Sequence, residues 1–239
     1  MKYFPINCAK YQNKGCNKYL ILLHGWGSSS VIFNKYINEL KNDFNIIAFD
    51  LYGFGQSVDP KPFFDTYEYA VQIYLYLQSR GVSEVYIFAH SFGGRIAIIL
   101  SSLFGLNVKK MVLTGCAGIK PRRSLMYYLK VKLYKFRKKF GINNYDEFGS
   151  DDYKNSNSVM KRVLVRVVNQ ELEYLLDDVN CNTLLVWGSE DNDTPLYMYK
   201  KILHGIDSAR GVIIRGAHFA AFTHMYLCNN KIREFLLYD

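Results

Sequence analysis

The 239-residue chain reads as an α/β protein built on a mostly parallel sheet, and three observations lead there. Short apolar runs at residues 19–23, 45–49, 85–88, 110–115, 183–187 and 211–214 alternate with helical stretches, the pattern of βαβ units. His24, Asp50, Ser91 and Gly115 fall at or just past the ends of these runs, and parallel sheets gather ligands at the carboxyl ends of their strands. An apolar content of 49% is that of a globular protein, enough for one domain with room for an inserted subdomain.

In chain order, residues 2–16 are expected to be extended and to turn at Asn13-Lys14-Gly15. The strand at 19–23 runs into His24-Gly25-Trp26-Gly27, and Ser28-Ser29-Ser30 offers N-caps for a helix over residues 30–41. The next run ends in Asp50 and the turn Leu51-Tyr52-Gly53-Phe54-Gly55-Gln56-Ser57. A helix near 65–80 stops before Gly81. The strand at 85–88 passes through Ala89-His90-Ser91-Phe92-Gly93-Gly94 into the helical run Arg95-Ile96-Ala97-Ile98-Ile99-Leu100. The rhythm breaks after Gly118. Residues 119–180 show no strand pattern and read as several helices, an insertion between core segments 1–118 and 181–239. A helix near 196–203, the turn Gly216-Ala217-His218 and a final helix over 219–237 complete the chain, with no internal repeat or low-complexity segment.

A serine at a sharp strand-to-helix turn is held with its hydroxyl exposed, in a strained backbone that tolerates only small neighbours two positions away. Around Ser91 those neighbours are Ala89 and Gly93, with Ala89 a one-methyl departure from the usual glycine. With His24-Gly25-Trp26-Gly27, the turn at 50–57, Trp187-Gly188-Ser189-Glu190-Asp191 ending in Pro195, and Gly216-Ala217-His218-Phe219, the chain resembles the α/β-hydrolase superfamily. The resemblance spans nearly the whole length outside the insertion. It implies an α/β-hydrolase fold with a helical cap, and it assigns Ser91 as nucleophile, Asp191 as acid and His218 as base, with Glu190 and Asp193 as competing acids in the same loop.

The chemistry explains the need for three separated groups. A serine hydroxyl is a weak nucleophile at neutral pH and needs a base to take its proton. Histidine, with an unperturbed pKa of about 6.5, accepts and returns that proton near pH 7. A carboxylate fixes the imidazole tautomer and stabilises the imidazolium as it forms. For the oxyanion of an acyl-transfer intermediate, the elbow supplies the backbone N–H of Phe92, and the resemblance nominates that of Trp26, with Gly27 as the alternative. The Trp26 side chain reads equally as pocket wall or core. Gly53 and Gly55 lack the Lys-Ser/Thr ending of a phosphate loop and read as a tight turn. His24 is expected to bond nearby backbone, His90 to point away from the active face, and His204 and His224 to be surface residues.

The insertion begins with Lys120, Arg122, Arg123, Lys130, Lys132, Lys135, Arg137, Lys138 and Lys139 and no acid among them, which accounts for the whole net charge of +9. Met126, Leu129, Leu133, Phe136 and Phe140 recur at steps of three and four and give one apolar helix face. A solvated basic helix packed on the core is one reading. An anionic membrane surface or an anionic acyl carrier bound through residues 120–139 is the other. No nucleic-acid module accompanies the patch, so nucleic acid is not expected as a partner. Five scattered cysteines without metal-ligand spacing, no long apolar N-terminal run and no stretch near the roughly 18 apolar residues of a membrane span point to a reduced, cytoplasmic setting.

The expected activity is hydrolysis of a carboxylic ester or thioester through an acyl-serine, with no metal or organic cofactor and an acyl substrate whose acyl part is apolar. Phe54, Phe92, Tyr127, Tyr128 and Phe219 are candidate walls of that pocket or core residues. Carbon–carbon bond hydrolysis with the same triad is the second enzymatic reading; related enzymes carry Trp after the catalytic histidine, where this chain has Phe219. A non-catalytic ligand-binding or membrane-associated protein on the same fold is the third.

Overall fold

The computed structural model describes residues 4–122, 129, 132, 136 and 150–238. Seven strands form one sheet in the order β1-β3-β2-β4-β5-β6-β7. They are β1 (Cys8–Tyr11), β2 (Tyr19–Leu23), β3 (Asn45–Phe49), β4 (Glu84–His90), β5 (Asn107–Thr114), β6 (Asn182–Gly188) and β7 (Ala209–Ile214). Only β1 is antiparallel, pairing with β3 in the register Cys8–Phe49; all other neighbours are parallel.

The central strands are covered on both faces, so they appear in the sequence as continuous apolar runs instead of an alternating pattern. The pleat still sorts their side chains with period two. Ile21, Leu23, Ile47, Phe49, Ile87 and Ala89 face one side, packed with α2 (Thr66–Ser79) and α3 (Phe92–Ser102). Leu20, Leu22, Ile46, Ala48 and Phe88 face the other, packed with α1 (Asn34–Leu40) and the C-terminal helix.

Two expected helix boundaries change. The serines do not cap α1. The segment opens as a 3-10 turn, Ser30–Phe33, and Ser29 makes no side-chain cap bond. Its entry is fixed instead by the Ser30 N–H donating to Asp50 Oδ1 at 2.8 Å. The single C-terminal helix is two: a short one over Ala220–Thr223, and another over Met225–Leu237, because His224 leaves helical geometry (φ −118°, ψ 43°). By contrast α2 starts where expected, under a complete Asp65/Glu68 capping box.

Between β5 and β6 the described residues form helices and no strand: α4 (Asp151–Asn155), α5 (Ser158–Asn169) and a 3-10 turn at Glu173–Leu175. Asn157 caps α5 by accepting from the N–H groups of Val159 and Met160. The apolar stripe Met160, Val163, Leu164 and Val167 is buried, while Val165 and Val168 are exposed. At the start of the basic run, Lys120 pairs with Glu171 at 2.8 Å and the Arg122 guanidinium stands over the Tyr197 ring at 4.5 Å. Leu129 and Phe136 of the expected apolar face are 60% and 58% exposed, so these two positions are not packed into the core. Lys132 is exposed. Met126, Tyr127, Tyr128, Leu133, Phe140, Arg123, Lys130, Lys135, Arg137, Lys138 and Lys139 lie outside the described residues. All five cysteines are free thiols, and no helix among the described residues is long and apolar enough to cross a membrane.

After β6 the remaining helices are α6 (Leu196–Gly205), α7 (Ala220–Thr223) and α8 (Met225–Leu237).

Candidate active site

Ser91 joins β4 to α3 with φ 49° and ψ −110°, the one non-glycine residue at positive φ among the described residues. Such a conformation costs about 1–3 kcal/mol and persists where its surroundings over-determine it. Here the Ser91 N–H donates to the Thr114 carbonyl at 3.0 Å, and the Ser91 carbonyl accepts from Gly94 N–H at 3.0 Å and Ala117 N–H at 3.1 Å. A Cβ on Gly93 would lie 2.1 Å from the Leu23 carbonyl oxygen, so only glycine fits two residues after the serine. Two residues before it, the Ala89 methyl is fully buried in register with Leu23 and Leu113, which accommodates the one-methyl departure.

His218 and Asp191 meet across the loops that follow β7 and β6. His218 Nδ1–H donates to Asp191 Oδ2 at 2.8 Å. Asp191 is 4% exposed and its other bonds are local: Oδ1 accepts from the N–H groups of Asp193 (3.0 Å) and Thr194 (2.8 Å), and Oδ2 from the Thr194 hydroxyl (2.8 Å). Burial alone raises the Asp191 pKa, but the bonds from His218 and Thr194 outweigh it and hold the carboxyl below its usual range. Neither competing acid bonds His218 among the described residues. Glu190 is exposed with its carboxylate 3.8 Å from Arg215 Nε, and Asp193 is exposed. Gly115 makes room for the pair, since a Cβ there would sit 3.0 Å from the His218 ring and 3.3 Å from Asp191 Oδ2.

The structure brings Ser91, His218, Trp26 and Phe92 to one cavity of about 630 Å3, with Asp191 behind His218. A Cβ on Gly25 would approach Ser91 Cβ to 3.2 Å, so the 24–27 turn runs directly beside the serine. Among the described residues, no protein acceptor takes the backbone N–H of Trp26 or Phe92. The Trp26 ring lines the cavity and packs edge-on against Phe54 and Phe92, at 4.9 and 5.5 Å between centroids. The opposite wall comes from Ser150, Asp151 and Asp152 at α4 and from Leu164, Val167 and Val168 of α5.

His24 bonds backbone as expected. It is fully buried, donates from Nδ1 to the Gly25 carbonyl at 2.7 Å and accepts at Nε2 from Leu51 N–H at 2.9 Å. Burial lowers its pKa to about 4, so it is neutral. His90 does not point away. Its ring lies 4.7 Å from that of His218 and 4.9 Å from that of Phe219, and it lines the cavity. The pleat sets His90 on the face opposite Ala89, and the chain from His218 through α7 folds back over that face. Its Nδ1 contacts the Thr114 carbonyl and hydroxyl, each at 3.0 Å, Nε2 is buried without a partner among the described residues, and burial lowers its pKa to about 3. His204 is exposed and His224 half-buried, away from the cavity.

The turn at Gly53 and Gly55 wraps Asp50, which accepts from Asn7 Nδ2, Ser30 N–H and Gln56 N–H at 2.8–2.9 Å. These bonds hold its carboxyl below the usual range despite burial, and the turn is structural. Asp191, Asp193 and His218 offer possible metal-ligand atoms within 4.8 Å of one another, but Asp191 Oδ2 already takes the His218 and Thr194 protons.

Sequence reasoning missed Thr194, which buttresses Asp191 and also lies 3.3 Å from His218 Nδ1. It missed Arg95, whose signal was present: one cation inside an otherwise apolar helix immediately after the elbow.

A family model described as the alpha/beta hydrolase fold matches residues 18–131, which contain β2, the 24–27 turn and the Ser91 elbow. The chain has the α/β-hydrolase fold and is similar to that superfamily over this segment. Among curated proteins, the uncharacterized hydrolase YugF of Bacillus subtilis is 26% identical over 80% of this chain and 79% of its own length. With mycobacterial proteins 29% identical over 48% of this chain, the match covers only 34% of their length. Solved structures share the hydrolase fold over almost the entire chain. The enol-lactonase of Burkholderia xenovorans LB400 is similar with a TM-score of 0.76 and 14% identity, covering 97% of this chain and 96% of its own. The meta-cleavage product hydrolase of Pseudomonas fluorescens IP01 is similar with a TM-score of 0.73 and 18% identity, covering 97% and 93%.

Proposed function

We propose that this protein of α/β-hydrolase fold cleaves a carboxylic ester or thioester, with Ser91 as nucleophile, His218 as general base and Asp191 as the orienting acid. The observation that carries the reading is the 2.8 Å bond from His218 Nδ1–H to the buried Asp191 carboxylate, made at the edge of the cavity onto which Ser91 opens. That bond commits Nδ1 as donor and leaves Nε2 with a lone pair, the tautomer a base requires.

In the first half-reaction Ser91 Oγ attacks the acyl carbon while His218 Nε2 takes its proton. The carbonyl electron pair moves to oxygen, where the N–H groups of Trp26 and Phe92 stabilise it. Collapse expels the alkoxide or thiolate, which takes the proton back from His218. Water then attacks the acyl-serine with His218 again as base, releasing the acid and restoring Ser91. Residues 119–180 act as a cap, with α4 and α5 forming the wall that selects the acyl group. Phe219 directly after His218, where the resemblance to carbon–carbon hydrolases implies Trp, supports ester over carbon–carbon cleavage.

The test is a p-nitrophenyl ester series from acetate to palmitate, with wild type and Ser91→Ala measured in parallel. Turnover by wild type and its loss in the variant are expected, and the preferred chain length sizes the cavity. No turnover of any ester by folded wild type would contradict the proposal and favour carbon–carbon cleavage.

A further inference from the structure

Arg95 is a cation in a helix whose residues 92–100 are all buried, and nothing in the acyl-transfer cycle uses it. Ser91 is the N-cap of α3 and Arg95 lies four residues on, so the two share a helix face one turn apart. Arg95 lines the same cavity as Ser91 and His218, although the residue is only 5% exposed.

Its partners do not match its charge. A guanidinium has five N–H donors. One of them, on Nη1, reaches the Gln170 carbonyl at 2.8 Å, and no other acceptor or carboxylate among the described residues takes the rest. The ionisable neighbour is the Cys116 thiol, itself pushed up to about 12 by burial and therefore uncharged. Burial lowers Arg95 only to about 10, so it stays a cation at neutral pH. Among the described residues the one buried side-chain nitrogen or oxygen sealed without a partner is His90 Nε2, so the unbonded Arg95 nitrogens are not sealed, in a residue that lines the cavity. A buried cation is expected to have a paired anion.

We propose that Arg95 is a carboxylate-recognition site in the acyl half of the cavity, so that the preferred substrate is a half-ester or half-thioester of a dicarboxylic acid. The planar fork of arginine suits two-point binding of a carboxylate. The acids of the cavity reinforce the orientation. Asp152 lies beside Gly27 and interacts electrostatically with Asp193, the adjacent Asp151 and His218, and Asp193 lies beside Asp191, whereas Arg95 abuts Gly118 and Gln170. A substrate carboxylate is repelled by these acids and held at the arginine. The inference rests on the acyl-transfer reading for its substrate class, but the carboxylate site itself can be tested without turnover.

The experiment compares kcat/KM for mono-p-nitrophenyl adipate against p-nitrophenyl hexanoate, in wild type, Arg95→Gln and Arg95→Lys. Wild type is expected to prefer the half-ester by roughly 10- to 100-fold, the scale of a charge-assisted contact. Arg95→Gln should lose that preference, its kcat/KM for the half-ester falling to the level of its own hexanoate value, and Arg95→Lys, which keeps the charge but not the fork, should retain part of it. Calorimetry of monomethyl adipate and methyl hexanoate on Ser91→Ala, with and without Arg95→Gln, supplies the second arm. Carboxylate-dependent binding that disappears with Arg95→Gln is expected. Binding of that kind without hydrolysis by wild type sinks the ester reading and keeps the site. Hydrolysis with the same half-ester preference in wild type and Arg95→Gln, or binding indifferent to the carboxylate, overturns the site alone. Because Arg95→Gln also loses the Gln170 contact, its fold is checked by circular dichroism; if it is unfolded, an unchanged half-ester preference in Arg95→Lys overturns the proposal.

Discussion

On one side of the cavity, Ser91 and Asp191 follow strands β4 and β6, each buried along every residue but its first. On the other side, α4 buries none of its residues and α5 buries four of its twelve. The same cavity therefore joins a wall that is part of the core to a wall that rests on it. The groups proposed for catalysis sit on the first, where burial opposes local opening, and the second is free to differ in shape at little cost to folding.

The contrast is broken most severely from the sheet side. Ser91→Ala is expected to lower kcat by about 10^6 and Asp191→Asn by about 10^4, with unchanged melting temperature in the first, measured on p-nitrophenyl butyrate. Gly93→Val should prevent folding or cost more than about 4 kcal/mol, because its first side-chain carbon would fall 2.1 Å from the Leu23 carbonyl. A soluble Gly93→Val protein with wild-type stability in urea would overturn the packing account of the elbow.

Smaller effects sharpen the comparison. Ile21→Ala, fully buried in β2, should cost about 2–5 kcal/mol. Val165→Ala, on the 49% exposed face of α5, should stay within about 0.5 kcal/mol. Equal costs for the two would remove the distinction between the walls.

Between them lies a pH effect. His24 and His90 are held neutral, with pKa values lowered to about 4 and about 3, against about 6.5 in the unfolded chain. The unfolded chain thus binds more protons between these values, so stability is full above about pH 6.5 and falls as the pH drops toward 4. By pH 5 each histidine should have withdrawn about 2 kcal/mol, read as a lower urea midpoint than at pH 7. Asp50 and Asp191, whose carboxyls are held low, withdraw their contribution only below the unfolded carboxylate pKa near 4, a separate window. Equal midpoints at pH 7 and 5 would contradict the buried, neutral state of the two histidines.

What could be read in the sequence follows the same division. The strands are legible because parallel strands covered on both faces leave unbroken apolar runs, and their ends point to His24, Asp50, Ser91 and Gly115, whereas the roles of Asp191 and His218 come from the resemblance. The choice of Asp191 over Glu190 and Asp193 came from resemblance; three acids in one loop differ only in where the loop buries them, and Asp191 alone among them reaches His218. His90 was misjudged because its direction depends on α7 returning over the strand end, a contact between residues 132 positions apart. Arg95 is visible in the sequence as a cation in an apolar helix, but its meaning appears only once the structure shows it without a paired anion. The serines before α1 have the composition of caps, but a tertiary bond to Asp50 sets that entry.

The most direct measurement is labelling with a fluorophosphonate, followed by peptide mass spectrometry. One adduct on Ser91 in wild type is expected, absent in Ser91→Ala and formed far more slowly in His218→Ala. A folded wild-type protein that leaves Ser91 unlabelled, or labels it equally fast without His218, would contradict the assignment of Ser91 as an activated nucleophile.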